Sequence, residues 1–222
     1  MKKKKKVDIS NRYFEEEEAN RPKEPYKAFY NTLKTVFYMN EVDSVVDVGC
    51  ACGYLLSAIK ENHKNIEIMG IEYFDYHLKY VDQNIKNCIK ICDLRDPLNA
   101  KSGVKKNKLV ICTEVGEHIE KEYASTLLNN LKYLLQDNGF VVMSWSPHGG
   151  ENQRSCDPHH QHLNPLNSEE FSNLMIENGF IKDIEHSNRL LTSSYDFPQF
   201  YGWWRESLSV WRVKKIYNRR IL

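Results

Sequence analysis

The chain has 222 residues, enough to bury a substantial core in one domain, and 31 Lys and Arg against 30 Asp and Glu leave a formal charge of +1. That balance excludes a global basic footprint for nucleic acid, and no run approaches the roughly eighteen apolar residues of a membrane span. Its 6 cysteines contain no C-x-x-C pair, so no disulfide framework is implied and free thiols in a reducing, cytoplasmic setting are expected.

Lys2 to Lys6 open a basic segment, residues 1–10, read as a solvated, disordered tail without assigned function. It is followed by polar residues and by Glu15 to Glu18 rather than the apolar stretch of a signal peptide, so secretion is not expected. Residues 11–222 are expected to form one domain. Within 11–40, Tyr26, Phe29, Tyr30, Leu33, Val36 and Phe37 recur at helical spacing, which predicts one or two leading helices interrupted at Arg21-Pro22-Lys23-Glu24-Pro25.

From residue 44 a regular alternation begins. Short β-branched or apolar runs predict strands over 44–48, 66–71, 88–92, 109–112 and 140–144, the last introduced by the Asn138-Gly139 turn. Helices are predicted over 53–60, 75–84 and 122–135, the last with Leu127, Leu128, Leu131, Leu134 and Leu135 on its apolar side. Such alternation calls for an α/β fold, a mostly parallel sheet with helices on both faces. Beyond residue 145 come a polar, histidine-rich loop (146–167), a helix over 168–178, and strand-like runs at 180–186 and 208–213 joined through an aromatic loop (192–206).

The first strand runs into Asp47-Val48-Gly49-Cys50-Ala51-Cys52-Gly53. Glycines let the backbone bend and approach a ligand, and a strand-end carboxylate can meet an ammonium or hydroxyl at the carboxyl edge of the sheet, where open α/β sheets bind ligands. Tyr54-Leu55 stands where a P-loop has Lys-Ser/Thr, which disfavours a triphosphate. The segment resembles the D/E-x-G-x-G-x-G motif of class I S-adenosylmethionine-dependent methyltransferases, with Ala51 where the family often has its middle glycine. The resemblance spans roughly residues 40–215 and implies a Rossmann-like fold of seven strands, the last antiparallel. It also implies S-adenosylmethionine as cofactor, bound by Asp47, Gly49, Cys50 and Gly53.

In such a fold Glu72, ending the second strand, is expected to meet the ribose hydroxyls, with Tyr73 beside the adenine. Asp93-Leu94, after the third strand, matches the family position whose acid pairs with the adenine amino group. A dinucleotide dehydrogenase would not require that third acid, and Gly49-Cys50-Ala51-Cys52-Gly53-Tyr54 has the wrong glycine spacing for one.

The fourth strand ends in Glu114-Val115-Gly116-Glu117-His118, similar to the E-x-x-E-H segment of a methyltransferase group that includes ubiquinone-biosynthesis O-methyltransferases and small-RNA 2′-O-methyltransferases. The resemblance implies that Glu114 closes the cofactor pocket or joins a metal site. Glu117, His118 and, from the later loop, His162 would then activate the acceptor. Two glutamates and two imidazoles suit Mg2+ or Mn2+. Relatives without metal use such histidines as a general base or a structural group. Two other readings of the loop stay open: a zinc clip from Cys156, His159 or His160 and His162, and a plain substrate-facing loop that includes His148.

Phe197 to Arg205, with Trp203 and Trp204, is too aromatic for a freely solvated loop and suits a flat acceptor or plain packing. Histidines that can take a hydroxyl proton favour O-methylation, and the N-P-P-Y signature of amino-group methyltransferases is absent. A sugar, nucleotide-sugar or small metabolite is the expected acceptor. An RNA 2′-hydroxyl and a non-catalytic cofactor-binding subunit are the alternatives.

Overall fold

Val45, Val46 and Val48 send β-branched side chains to alternate faces of strand β1 (Ser44–Val48), which is buried at every position. A strand covered on both faces belongs in the middle of a sheet flanked by helices. The computed structural model describes residues 22–147, 162–195 and 207–214, and there β1 lies in a sheet with β2 (Glu67–Glu72), β3 (Ile89–Ile91), β4 (Asn107–Cys112), β5 (Leu135–Met143), β6 (Phe180–Lys182) and β7 (Ser209–Val213). The strand order is β3-β2-β1-β4-β5-β7-β6, seven strands in all. Neighbours pair in parallel from β3 through β5, and β7 inserts antiparallel to both β5 and β6. This is the predicted Rossmann-like arrangement, with its topological switch between β1 and β4.

Among the described residues, five α-helices cover the sheet. On one face α1 (Glu24–Val36), α2 (Tyr54–Asn62) and α5 (Ile184–Tyr195) bring Phe29, Leu33, Leu56, Ile59 and Leu190 against Val45, Ile111, Val142 and Val210. Pro25 sits in the first turn of α1, where its missing N–H costs nothing. On the other face α3 (Ala124–Leu134) and α4 (Ser168–Glu177) bring Leu127, Leu131, Phe171 and Met175 against Val46, Val110, Val141 and Trp211. Each fully buried Leu or Ile in these layers contributes about 2 kcal/mol. Buried Asn130 on α3 ties down the chain after β3: Nδ2 donates to Leu94 O and Asp96 O, and Oδ1 accepts from Leu98 N.

Four expected elements differ. The helix over 75–84 is instead a short 3-10 turn, Asp75–Lys79, because adjacent Tyr76 and His77 are both buried, which a one-sided α-helix does not arrange. The strand over 180–186 stops after Lys182. Asp183 caps the chain into α5, its Oδ1 accepting from His186 N at 3.1 Å and its carbonyl from Ser187 N at 2.9 Å. The loop expected over 192–206 therefore begins as helix, through Tyr195. The Asn138-Gly139 turn lies within β5 as an irregularity in its pairing with β4, with Asn138 at φ 61°. Residues 1–10, His148, Cys156, His159, His160 and the Phe197 to Arg205 segment lie outside the described residues.

Candidate active site

The site builds from the carboxyl ends of β1, β2 and β4. Gly49 and Gly53 adopt φ 75° and 71°, and Gly49 N and Cys50 N both donate to Ile71 O, which turns the chain over the end of β2. A side chain on Gly49 would collide with Val115, so the turn after β1 presses directly on the turn after β4. Ala51 holds φ 45°, the left-handed conformation for which the middle glycine is usually used. Glu72 secures it: Oε2 accepts from Ala51 N at 2.8 Å, while Oε1 accepts from Tyr73 N at 2.8 Å and Phe74 N at 3.0 Å.

Asp47 and Glu72 are both buried, at 7% and 5% exposure. Burial, reinforced by the charge of Glu72, pushes the Asp47 pKa up to about 8. Burial also works to raise Glu72, but His77 and the N–H groups of Phe74 and Ala51 outweigh it and hold Glu72 below the ordinary carboxylate value. Thus Glu72 is ionised at neutral pH, whereas Asp47 lacks a cation to hold its charge.

Asp93 is clasped by Arg95. Arg95 Nε lies 2.9 Å from Oδ1 and Nη2 2.9 Å from Oδ2, and the backbone N of Arg95 donates to Oδ1. The same guanidinium donates to Tyr73 Oη at 3.1 Å and Glu120 Oε1 at 3.3 Å, joining the ends of β2 and β3 to the turn after β4. Cys50 and Leu94, expected beside the cofactor, turn their side chains into the core, Cys50 Sγ toward Gly70.

On the acceptor side, Glu114 takes φ 56°, a strained value for a non-glycine residue, and its turn is tied to the end of β5 through Ser144. Ser144 Oγ donates to Glu114 Oε1 at 3.0 Å and accepts from Glu114 N at 3.2 Å. Glu117 is fully buried; neither carboxylate oxygen makes a hydrogen bond of good geometry among the described residues, and the nearby N–H groups of Glu117 itself and Ser146 only partly offset the burial. Its partner is the Glu114 carboxyl; burial first, and then the charge of Glu114, drive the Glu117 pKa well above the ordinary value. Two carboxyls so placed share a proton or require a cation.

The later loop returns here through the backbone. Leu163 N and Asn164 N donate to Glu117 O at 2.7 and 3.0 Å, and Trp145 Nε1 donates to Asn164 O at 2.6 Å. Trp145 packs where Gly116 lacks a side chain. His162 is thereby brought to His118, with ring centroids 5.0 Å apart and planes at 79°. Ligand atoms of Glu117, His118 and His162 all lie within 4.8 Å of one another. Glu114 stands outside that trio, bonded to Ser144 and Glu117. The donor set of one carboxylate and two imidazoles, with the carboxylate buried and lacking a well-placed donor, fits a divalent cation.

Sequence reading missed Arg95, His77, Ser144 and Trp145. Arg95 two residues after a strand-end acid is a weak signal, and Ser144 and Trp145 declare themselves only through β4–β5 pairing.

A sheet of this order, with acids at successive strand ends beside its switch point, defines an α/β enzyme of the nucleoside-cofactor-binding type. The model of a family described as a methyltransferase domain matches residues 12–183, and the chain belongs to this family, the class I S-adenosylmethionine-dependent methyltransferases. No curated protein matches the chain in sequence.

Solved structures share the fold. The plantazolicin methyltransferase BpumL in complex with S-adenosylhomocysteine aligns at TM-score 0.64 and 16% identity, over 95% of this chain and 92% of that one. A SAM-dependent methyltransferase from Archaeoglobus fulgidus aligns at 0.58 and 21%, over 77% and 75%. The O-methyltransferase of a trans-AT PKS multienzyme of Brevibacillus brevis, in complex with S-adenosylhomocysteine, aligns at 0.58 and 16%, over 84% and 72%.

Proposed function

We propose that this protein methylates a hydroxyl oxygen of a sugar, nucleotide-sugar or other small metabolite, using S-adenosylmethionine and a divalent cation such as Mg2+ or Mn2+. The observation that carries the reading is Glu117, a buried carboxylate without a well-placed donor, gathered with His118 and His162 beside the cofactor turn. Burial and Glu114 both oppose the ionised form of Glu117, so the carboxyl pair takes full charge only when a cation arrives from outside to hold it.

Asp47 takes the ammonium of the cofactor, Glu72 offers the free lone pair of Oε2 to a ribose hydroxyl, and Asp93, oriented by Arg95, borders the adenine with Tyr73. Glu117, His118 and His162 hold the cation and the acceptor oxygen, and Glu114 stands between this cluster and the cofactor turn. Bound there, the cation supplies charge that lowers the acceptor's pKa and orients it. The acceptor hydroxyl releases its proton to solvent water, its oxygen forms the new O–CH3 bond, and the C–S bond breaks with its electron pair going to sulfur, so alignment supplies much of the acceleration. The +1 charge of the chain supports a small acceptor over RNA.

The test is methyl transfer from labelled S-adenosylmethionine across a panel of sugars, nucleotide-sugars and phenolic metabolites, before and after chelation. Calorimetric titration of Mn2+ into wild type, Glu117→Ala and His162→Ala accompanies it. Metal-dependent turnover and loss of Mn2+ binding in both variants are expected. Turnover unchanged by chelation would overturn the metal assignment.

A further inference from the structure

His77 follows β2 within the turn Asp75–Lys79, is 5% exposed, and neither ring nitrogen has a hydrogen-bond partner among the described residues. Its ring is walled by Tyr76 and Phe74, with centroids 4.3 and 6.0 Å away. A buried imidazole left so is costly, and a core needing only a filler there would favour an apolar ring. Its nearest charged neighbour is Glu72: Nδ1 lies 3.5 Å from Oε1, close enough for electrostatic attraction but too long for a good hydrogen bond.

Glu72 has little capacity to spare. Oε1 already accepts from Tyr73 N and Phe74 N, and Oε2 from Ala51 N, which leaves one lone pair on Oε2. A carboxylate with a single free lone pair must be held in one orientation to serve a ligand. We propose that His77 is a positioning residue that acts through Glu72, fixing the carboxylate so that Oε2 discriminates for a ribose hydroxyl of the cofactor. This rests on the proposed cofactor reading and extends it to a residue that touches neither the turn after β1 nor the acceptor cluster in the contacts described. Nδ1 stands beside Oε1 at 3.5 Å, and the two backbone donors to Oε1 prevent rotation that would exchange the oxygens. Removing the imidazole takes away the wall and the electrostatic attraction beside Oε1, so the carboxylate loses its exact aim within the backbone clasp and Oε2 discriminates less.

The experiment is calorimetric titration with S-adenosylhomocysteine and with its 2′-deoxy and 3′-deoxy analogues on wild type, His77→Phe, His77→Asn and Glu72→Gln. Wild type is expected to prefer the ribose ligand over at least one deoxy analogue by about tenfold or more, the scale of one charged hydrogen bond. In His77→Phe that ratio falls toward one. His77→Asn, which keeps a donor near the position of Nδ1, retains the ratio within about threefold. In a Glu72→Gln background the His77→Phe change adds nothing further. Equal weakening of all ligands with an unchanged ratio marks a filler role and overturns the proposal. If His77→Phe does not fold, loss of the ratio in folded His77→Asn overturns it equally. Wild type that binds none of the ligands would refute the cofactor reading itself.

Discussion

Ala51 shows how a single residue carries the geometry of the cofactor turn. Its φ of 45° costs a side chain about 1–2 kcal/mol, and the Glu72 bond to its N–H holds it there. Ala51→Gly relieves that strain while adding freedom to the unfolded chain, so chemical denaturation should find it neutral to about 1 kcal/mol stabilising. Asp47 carries the clearest pH signature. Its folded pKa of about 8 exceeds the ordinary value, so between roughly pH 4 and 8 the folded state holds a proton the unfolded state lacks. This group's stabilising contribution is complete at low pH and is lost as pH rises through 8. A ligand ammonium reverses the preference, and S-adenosylhomocysteine binding at pH 7 should release about one proton, measured by calorimetry in buffers of different ionisation enthalpy. Asp47→Asn should abolish the release. Glu117, raised in the same direction, predicts that Glu117→Gln increases the melting temperature more at pH 8 than at pH 5 while eliminating Mn2+ binding.

At the scale of elements, Asp183 decides where β6 stops and α5 starts. It caps the helix through His186 N and also binds Arg212 Nε at 2.7 Å, fastening α5 to β7. Asp183→Ala should cost about 1–2 kcal/mol in equilibrium unfolding. Hydrogen exchange should rise first in α5 and β6. Ile181 and Ile184 hid this boundary, since β-branched residues on either side of an acid read as one continuous strand. The buried strands β1 and β4 and the leucine face of α3 were legible because a strand covered on both faces reads as a short apolar run and a helix covered on one face writes a period into the sequence. The turn at Asp75–Lys79 was not, because adjacent Tyr76 and His77 are both buried, which fits neither a helical nor an alternating period. The same holds for the site. Asp47, Glu72 and Asp93 announce themselves by standing at or just past strand ends, whereas Arg95 enters through a guanidinium that spans three strand ends.

For the whole molecule, the order β3-β2-β1-β4-β5-β7-β6 places the Asp47 turn and the Glu114 turn side by side at the switch point. The residues proposed for cofactor and for acceptor therefore adjoin at the contact of Gly49 with Val115, on one edge of the sheet. The most direct measurement is calorimetric titration of S-adenosylhomocysteine into wild type, Asp47→Asn and Glu72→Gln at pH 7. One site per chain in wild type, with affinity reduced about tenfold or more in each variant, is the predicted result. Absence of binding to wild type, or equal binding by all three proteins, would contradict it.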